Sequence, residues 1–263
     1  MSDDDTTTVI SADGTPIAVR TRGDGIPLVL VGGALSRGED GAEVAAAIAG
    51  RGFRVATLDR RARGGSGDTA PYSPEREAED LVAVIDHLGG RASVVGHSSG
   101  AILSLVAASL GAPIEQLVLS EPPFLFENPF AADLPDRLQA LVDAGENGDA
   151  VALFQLEGVG LPAEAIEQFR QSPMWASLLP LAQSTVYDAT ITRDFAVPTP
   201  AMLAVDAPVA ILRGEQTFPV LITAADRLAT LLPQHRLVIE PRMLHHRLDP
   251  EAAADLVAAM HAS

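Results

Sequence analysis

The chain has 263 residues, which is long enough for one large α/β domain, and its 47% hydrophobic content can fill a sizeable core. All 18 basic residues are Arg, against 35 Asp and Glu, and the resulting net charge of −17 disfavours binding to nucleic acids or to anionic membranes. Cysteine does not occur, which excludes disulfides, thiolate metal sites and a Cys nucleophile.

The first segment, MSDDDTTTVI, is acidic and lacks the basic and apolar parts of a signal peptide. No later run approaches the ~18 consecutive apolar residues of a membrane span. We therefore expect a cytoplasmic protein that does not bind membranes.

Short apolar segments then alternate with longer helical patterns, which predicts a mostly parallel sheet with helices on both faces. The segment TTTVISADGTPIAVRTRG is typical of an opening hairpin that turns at Asp13-Gly14. Two buried strands follow, IPLVLVGG and FRVATLD, with an Ala-rich helix between them. Ser73 and Pro74 have the chemistry of a helix start, as N-cap and first helical residue.

The segment ASVVGHSSGAILSLVAASL places Ser98 between Gly96 and Gly100, at the junction of a strand and a helix. In a Gly-x-Ser-x-Gly turn the glycines let the strand bend sharply, and the serine is lifted above the sheet edge in a strained conformation. We predict that Ser98 is a nucleophile and that the amide of Ser99, at the helix start, is one oxyanion donor.

A serine hydroxyl needs a base that takes its proton, and the chain has six histidines. The pair His245-His246 follows the last predicted strand, where the chain order Ser, acid, His places the base. One member of this pair is the predicted base. The other four histidines are interpreted as structural or surface residues: His87, His97, His235 and His261.

No cofactor is predicted. The sequence has no Gly-x-Gly-x-x-Gly after its first strand and no Gly-Lys-Ser/Thr, so nucleotide phosphates are not indicated. The histidine pair, Asp249 and His235 do not assemble a convincing ligand set, so no metal is predicted.

The alternation of strands and helices stops between Pro122 and Val205 and resumes at APVAILRG. We predict a core of residues 1–121 and 206–263, with a helical cap over residues 122–205 inserted after the sixth strand. Its apolar side chains are expected to form a pocket wall: Phe124, Phe126, Phe130, Phe154, Phe169, Met174, Trp175 and Tyr187. The substrate-binding residues put forward are Gly33, Phe124, Phe126 and Trp175.

Four ordered stretches carry a family resemblance over essentially the whole chain: LVLVGGAL, DRRARGGSG, GHSSG and HHRLDPEAAADLVAAM. The chain resembles the α/β-hydrolase fold superfamily, and GHSSGA followed by EPPF is similar to a small bacterial subgroup. The resemblance implies an eight-stranded, mostly parallel sheet flanked by helices. Because members of the subgroup end in a Gly-x-x-His-x-x-Asp-Pro pattern, it also implies that His246, not His245, is the base.

The sequence departs from the superfamily pattern at three places, one of which is Ala62, where a Gly is frequent in the DRRARGGS turn. The usual His-Gly after the third strand is Gly32-Gly33 here, and the second oxyanion amide is expected from Ala34. The usual acid after the seventh strand is replaced by Thr217. Some family members carry the acid after the sixth strand, which indicates Glu121. The alternatives are Glu215, Asp226 and a Ser-His dyad that has no acid.

With the resemblance, these residues predict a serine hydrolase for a carboxylic ester or related acyl substrate of small to medium, largely apolar character. The alternatives are a carbon-carbon bond hydrolase, a perhydrolase or a secondary-metabolite cyclase of the same fold, or a non-catalytic binding protein. The expected partner is a small molecule, and the expected assembly is a monomer or homodimer. The Arg-rich segment DRRARGGSGD allows an anion site, although this turn is normally a structural loop at the rim of the site.

Overall fold

The protein is described here by a computed structural model that covers residues 5–126 and 130–262. Within these residues eight strands form one sheet in the order β1-β2-β4-β3-β5-β6-β7-β8. The strands are β1 (Asp5–Ile10), β2 (Pro16–Arg22), β3 (Ile26–Val31), β4 (Phe53–Leu58), β5 (Ala92–His97), β6 (Ile114–Ser120), β7 (Val209–Gln216) and β8 (His235–Leu244). β2 pairs antiparallel with β1 and β4, and the other neighbours are parallel. The predicted hairpin and mostly parallel sheet are confirmed.

Helices fill most of the remaining described chain. They are α1 (Ala42–Ala49), α2 (Pro74–His87), α3 (Ser99–Ser109), α4 (Leu134–Asp143), α5 (Asn147–Leu153), α6 (Ala163–Arg170), α7 (Trp175–Leu178), α8 (Ala182–Asp194), α9 (Pro200–Leu203), α10 (Pro219–Leu231) and α11 (Pro250–His261). A π-helical turn, Phe154–Val159, continues α5. Helix α2 begins as predicted, because the Ser73 hydroxyl accepts a hydrogen bond from the Arg76 amide and Pro74 is the first helical residue.

Two apolar layers cover the two faces of the sheet. One layer joins the strands to α2, α3 and α10, through side chains such as Leu81, Ile102 and Leu228. The other joins them to α1 and α11, through Ile48 and Leu256. This two-sided burial explains why the central strands read as continuous apolar runs.

Helices α4 to α9 lie between β6 and β7 in the chain, in the segment for which the sequence predicts a cap. They have an apolar cluster of their own, which includes Leu138, Val151, Phe154 and Ala189. Helix α8 contacts α2 and α3 of the sheet domain. Helix α9 also contacts α3, so the segment rests on the sheet domain through both α8 and α9. None of the helices in residues 5–126 and 130–262 has the length and apolar character that crossing a bilayer requires.

Candidate active site

The candidate site lies at the carboxyl edge of the parallel strands. Neighbouring parallel strands end at the same edge of a sheet, which is where such folds hold their ligands. Each of five strands ends shortly before a residue singled out in the sequence: Ala34 after β3, Ser98 after β5, Glu121 after β6, Thr217 after β7 and His246 after β8.

Ser98 occupies the turn from β5 into α3. Its backbone has φ 55° and ψ −127°, a strained conformation for a residue with a side chain. A Cβ atom added to Gly96 would lie 2.5 Å from the Gly100 carbonyl, and one added to Gly100 would lie 2.5 Å from the Gly32 carbonyl. Both glycines are therefore required by close backbone contacts, as the turn predicts.

His246 follows β8 and connects two other residues of the site. Its Nε2 lies 3.0 Å from the Ser98 hydroxyl oxygen, and its Nδ1 lies 2.5 Å from Glu121 Oε2. An imidazole in this position can accept a proton from the serine while its other nitrogen donates to the carboxylate. The neighbouring His245 is exposed and makes no such contact.

Glu121 is fully buried at the end of β6, where its backbone has φ 46°. Its Oε1 accepts a hydrogen bond of 2.9 Å from the Gly214 amide. Burial alone would raise the pKa of Glu121, but the hydrogen bonds from His246 and Gly214 outweigh burial and hold this pKa below its usual range. The carboxylate therefore stays charged beside the imidazole.

The other predicted acids lie elsewhere. Glu215 is exposed, and Asp226 forms an ion pair of 2.7 Å with Arg213. The Thr217 hydroxyl approaches Glu121 and helps to lower the pKa of that carboxyl, although it lies outside ordinary hydrogen-bond geometry. The place of the usual acid is thus next to the carboxylate that reaches the imidazole.

His97 packs against the loop that carries His246. Its Nε2 donates to the His246 carbonyl at 3.2 Å, which leaves Nδ1 to accept from the Ser120 hydroxyl at 3.0 Å, and the two imidazole rings lie 4.6 Å apart. Burial, with the charge of His246, lowers the pKa of His97 to about 3. A neutral His97 therefore supports the loop, in line with the structural role expected of it.

Ala34 and Ser99, the predicted oxyanion donors, both line the cavity at Ser98. Ser99 is the first residue of α3, so its amide has no partner within the helix. Gly33 lies against the nucleophile, because a Cβ atom added there would be 2.8 Å from Ser98 Cβ. The turn after β3 thus passes beside Ser98, where a second donor is needed.

The cavity at Ser98 has a volume of about 130 Å³ and a mostly apolar wall. Besides Ser98, Ser99, Ala34 and His246, its wall consists of Pro123, Leu125, Phe130, Phe154, Gly158, Val159, Asp188, Thr192, Phe218, Val220 and Leu221. A larger cavity of about 240 Å³ is lined by Gly33, His97 and His246 but not by Ser98.

The predicted substrate-binding residues Gly33, Phe124, Phe126 and Trp175 are not among the residues that line the cavity at Ser98, and their role in binding stays a prediction. Phe124 is 1% exposed and packs in the core, and Phe126 packs under the Arg227 guanidinium at 4.6 Å. Trp175 packs edge-on against Phe169, with 5.8 Å between ring centroids. Of the wider predicted set, Phe130 and Phe154 line the cavity and Phe169, Met174 and Tyr187 do not.

Comparison with known proteins agrees with this architecture. The model of the alpha/beta hydrolase family matches residues 28–262. The chain belongs to this family. An α/β hydrolase from Sphaerobacter thermophilus has a similar structure, with 42% identity, a TM-score of 0.89, and coverage of 97% of this chain and 100% of that chain.

Two relatives with similar sequences are enzymes named for different activities. A 2-(acetamidomethylene)succinate hydrolase from Mesorhizobium japonicum is 32% identical over 205 residues, which are 74% of this chain and 72% of that protein. A non-heme haloperoxidase from Rhodococcus erythropolis is 27% identical over 258 residues, which are 90% of this chain and 92% of that protein. The protein is therefore a hydrolase of this family.

The Arg-rich turn of this α/β hydrolase is filled by carboxylates of the chain itself. Arg61 forms two hydrogen bonds of 2.7 Å to Asp80 and an ion pair of 3.1 Å to Asp13. Burial raises the pKa of Asp80 to about 6, although its bonds to Arg61 oppose this shift. The guanidinium groups are thus structural partners rather than an open anion site.

A second buried cluster joins the same turn to the candidate site. Arg60 pairs with Glu77 at 2.7 Å and with Asp188 at 2.9 Å, and Arg63 pairs with Asp188 at 2.7 Å. The Ser99 hydroxyl donates to the same Asp188 carboxylate at 2.7 Å. All of these side chains are almost completely buried.

Reasoning from sequence missed several residues of the site: Asp188 and Thr192 on α8, and Phe218, Val220 and Leu221 at the start of α10. A signal for Asp188 was present, since it is an acidic residue in the middle of the helix STVYDATIT, and the arginines of DRRARG require carboxylate partners when buried. The α10 residues carry no comparable signal.

Proposed function

We propose that this α/β hydrolase cleaves carboxylic esters with a small to medium, largely apolar acyl group, through an acyl-enzyme on Ser98. The observation that carries the proposal is the continuous chain of hydrogen bonds from Glu121 through His246 to Ser98, with distances of 2.5 and 3.0 Å. This arrangement activates an otherwise weak serine nucleophile.

In the proposed reaction, the Ser98 oxygen attacks the ester carbonyl while His246 Nε2 takes its proton. Glu121 accepts the Nδ1 proton of the same ring, which selects the reactive tautomer and stabilises the imidazolium. The amides of Ala34 and Ser99 receive the developing oxyanion, and His246 then protonates the leaving alcohol. Water, activated by the same histidine, attacks the acyl-enzyme and releases the acid.

The composition of the cavity wall favours a substrate whose acyl group is uncharged. It consists largely of Leu, Val, Phe, Pro and Ala side chains, and its one carboxylate is Asp188. None of the described residues in this wall is Arg or Lys. The name of the Mesorhizobium relative specifies a succinate, which carries carboxylates, and a substrate with a carboxylate would find no cation here.

A panel of 4-nitrophenyl esters tests the proposal. Acetate and butyrate esters are expected to be hydrolysed, and the negatively charged hemisuccinate ester is expected to react at least ~10-fold more slowly in kcat/KM. Ser98→Ala should lose at least ~10⁴-fold in kcat, while Ser109→Ala, the same change at the other end of α3, should keep full activity. Turnover that survives in Ser98→Ala, or preference for the hemisuccinate, would overturn the proposal.

Perhydrolysis is a second candidate, favoured by the match to the Rhodococcus haloperoxidase along 90% of the chain. Here hydrogen peroxide replaces water in the attack on the acyl-enzyme, so a peracid leaves and Ser98 regains its proton through His246. Peracid formation from acetate ester and peroxide, measured against free acid release, separates this activity from simple hydrolysis. If water outcompetes millimolar peroxide completely, perhydrolysis is excluded.

A further inference from the structure

Asp188 contacts groups on both sides of the proposed oxyanion hole. It lies in the middle of α8 and is completely buried. Its Oδ1 accepts hydrogen bonds from the Ser99 hydroxyl at 2.7 Å and from Arg60 at 2.9 Å. Its Oδ2 accepts a hydrogen bond from Arg63 at 2.7 Å. One carboxylate from the helical segment therefore restrains the residue whose amide begins α3.

The two arginines extend this restraint to the other donor. Arg63 Nη1 donates to the carbonyls of Gly33 at 2.5 Å and of Ser36 at 3.2 Å, and Arg60 contacts the Gly32 carbonyl at 3.4 Å. These carbonyls belong to the turn after β3 that carries Ala34. The turn is thus attached to Asp188 through the guanidinium group of Arg63, and more weakly through that of Arg60.

The charges of the cluster balance. Arg60 and Arg63 contribute two positive charges, and Glu77 and Asp188 contribute two negative charges, all out of contact with solvent. In such a cluster, removal of one partner leaves an opposite charge that is buried and uncompensated. Without the Asp188 charge, the Arg63 guanidinium would no longer be fixed against the Gly33 carbonyl. The amide of Ala34, the next residue, would then shift.

We infer that Asp188 is a positioning residue that holds both amides of the oxyanion hole in place, through the Ser99 hydroxyl on one side and Arg63 on the other. Helix α8, which lies outside the sheet domain in the chain, thereby sets the geometry on which the rate of the reaction depends. This inference rests on the proposed ester hydrolysis at Ser98. It adds a residue that touches neither the nucleophile nor the base in the hydrogen-bond chain.

The chain offers a matched control in Asp80. This carboxylate is as buried as Asp188 and also pairs with an arginine of the same turn, but Arg61 contacts Asp13 and the Arg76 carbonyl rather than the site. Asp80→Asn and Asp188→Asn therefore remove equivalent charges and should both lower the melting temperature. Only Asp188→Asn should change catalysis in the folded enzyme.

The test measures kcat, KM and inhibition by a small arylboronic acid, whose tetrahedral adduct on the serine places an oxygen in the oxyanion hole. For Asp188→Asn we expect kcat to fall about 10- to 100-fold, KM to stay within about twofold, and the boronic acid to bind more weakly by the same factor as kcat. Asp80→Asn should leave all three values within about twofold of wild type. A purely structural role for Asp188 would lower stability and leave the boronic acid affinity and kcat unchanged, which would overturn the inference.

Ser99→Ala keeps the inference testable if Asp188→Asn does not fold. It removes the hydroxyl that reaches Asp188 and keeps the backbone amide. The expected result is a ~3- to 10-fold parallel loss in kcat and in boronic acid affinity, and no loss would overturn the inference. His246→Ala distinguishes the two proposals. If ester turnover survives in His246→Ala, the proposed function fails and this inference fails with it. If turnover is lost in His246→Ala, the proposed function stands, and the Asp188 and Ser99 variants alone decide whether Asp188 positions the amides.

Discussion

The sheet domain and the helical segment between β6 and β7 contribute different things to the candidate site. The sheet domain supplies Ser98, Glu121 and His246, each at the end of a strand whose register is set by backbone pairing. The helical segment supplies much of the cavity wall and the Asp188 carboxylate, from helices joined by loops. The sheet topology therefore determines where the reactive side chains lie. The side chains of the cavity wall are positioned by packing, for which the sequence has no short motif.

The largest expected effect tests the sheet-domain half of this comparison. Glu121→Gln keeps the shape of the side chain but removes the charge that stabilises the His246 imidazolium, so kcat should fall by ~10⁴-fold. Glu115→Gln is the matched control at the other end of β6, where the half-buried Glu115 pairs with Arg91. A fall of less than about tenfold in Glu121→Gln would exclude this residue as the triad acid.

The next effect concerns stability at acid pH. In the folded chain the pKa of His97 is lowered to about 3, against an ordinary value of 6.5, so below pH 6.5 the unfolded chain takes up a proton that the native chain does not. Stability should be lost as pH falls from 6.5 towards 3, by up to about 1.4 kcal/mol per pH unit, which is tenfold in the unfolding constant.

Chemical denaturation between pH 7 and pH 4 measures this slope. His97→Asn should reduce it by the contribution of one proton, whereas His87→Asn, at the exposed end of α2, should leave it unchanged. An unchanged slope in His97→Asn would show that the native chain protonates His97 as readily as the unfolded one.

A smaller effect tests where a triad acid can be placed. Thr217 lies beside the Glu121 carboxylate, at the position from which the family usually supplies its acid. Introducing Thr217→Asp into the Glu121→Gln protein should restore a charge near His246 and recover about tenfold in kcat. Recovery should be absent when Gln216→Asp is introduced instead, since Gln216 is exposed. Equal recovery by both changes would mean that the position of the charge does not matter.

The smallest effect compares a residue that lines the cavity with a substrate-binding residue put forward from the sequence. Phe218 lines the cavity with its ring 6.2 Å from the His246 ring, and Trp175 lies away from it. Phe218→Ala should raise KM for the butyrate ester by about fivefold through lost apolar contact, and Trp175→Ala should leave KM within about twofold. The reverse order of effects, measured by steady-state kinetics, would contradict the wall described here.

Much of the fold could be predicted because its signals are local. The Asp13-Gly14 turn, the Ser73 cap and the apolar strands each determine a short piece of structure, and few topologies join such pieces. Among the catalytic candidates, Ser98 has a local turn motif and the pair His245-His246 follows the last strand. The choice of His246 within this pair and the choice of Glu121 depended on the family resemblance, although both residues follow strands that end at the same edge.

The wall could not be predicted in this way. Phe124 and Phe126 follow β6 directly, yet Phe124 is turned into the core and Phe126 lies against Arg227, because the chain has φ 46° and 47° at Glu121 and Phe126. The direction of a side chain after such bends depends on packing along the whole segment. Asp188 was missed because its partners, Arg63 and Ser99, are more than 85 residues away in sequence, separated by 125 and 89 positions.

The most direct test of the central claim is the mass of the intact protein after exposure to an alkyl fluorophosphonate, with wild type, Ser98→Ala and His246→Ala compared side by side. An activated serine reacts with this reagent and keeps one phosphonyl group. If Ser98 is activated by His246, wild type gains one adduct and neither variant is labelled at a comparable rate. A folded wild type that gains no adduct, or a Ser98→Ala protein that gains one, would contradict the assignment of Ser98 as the nucleophile.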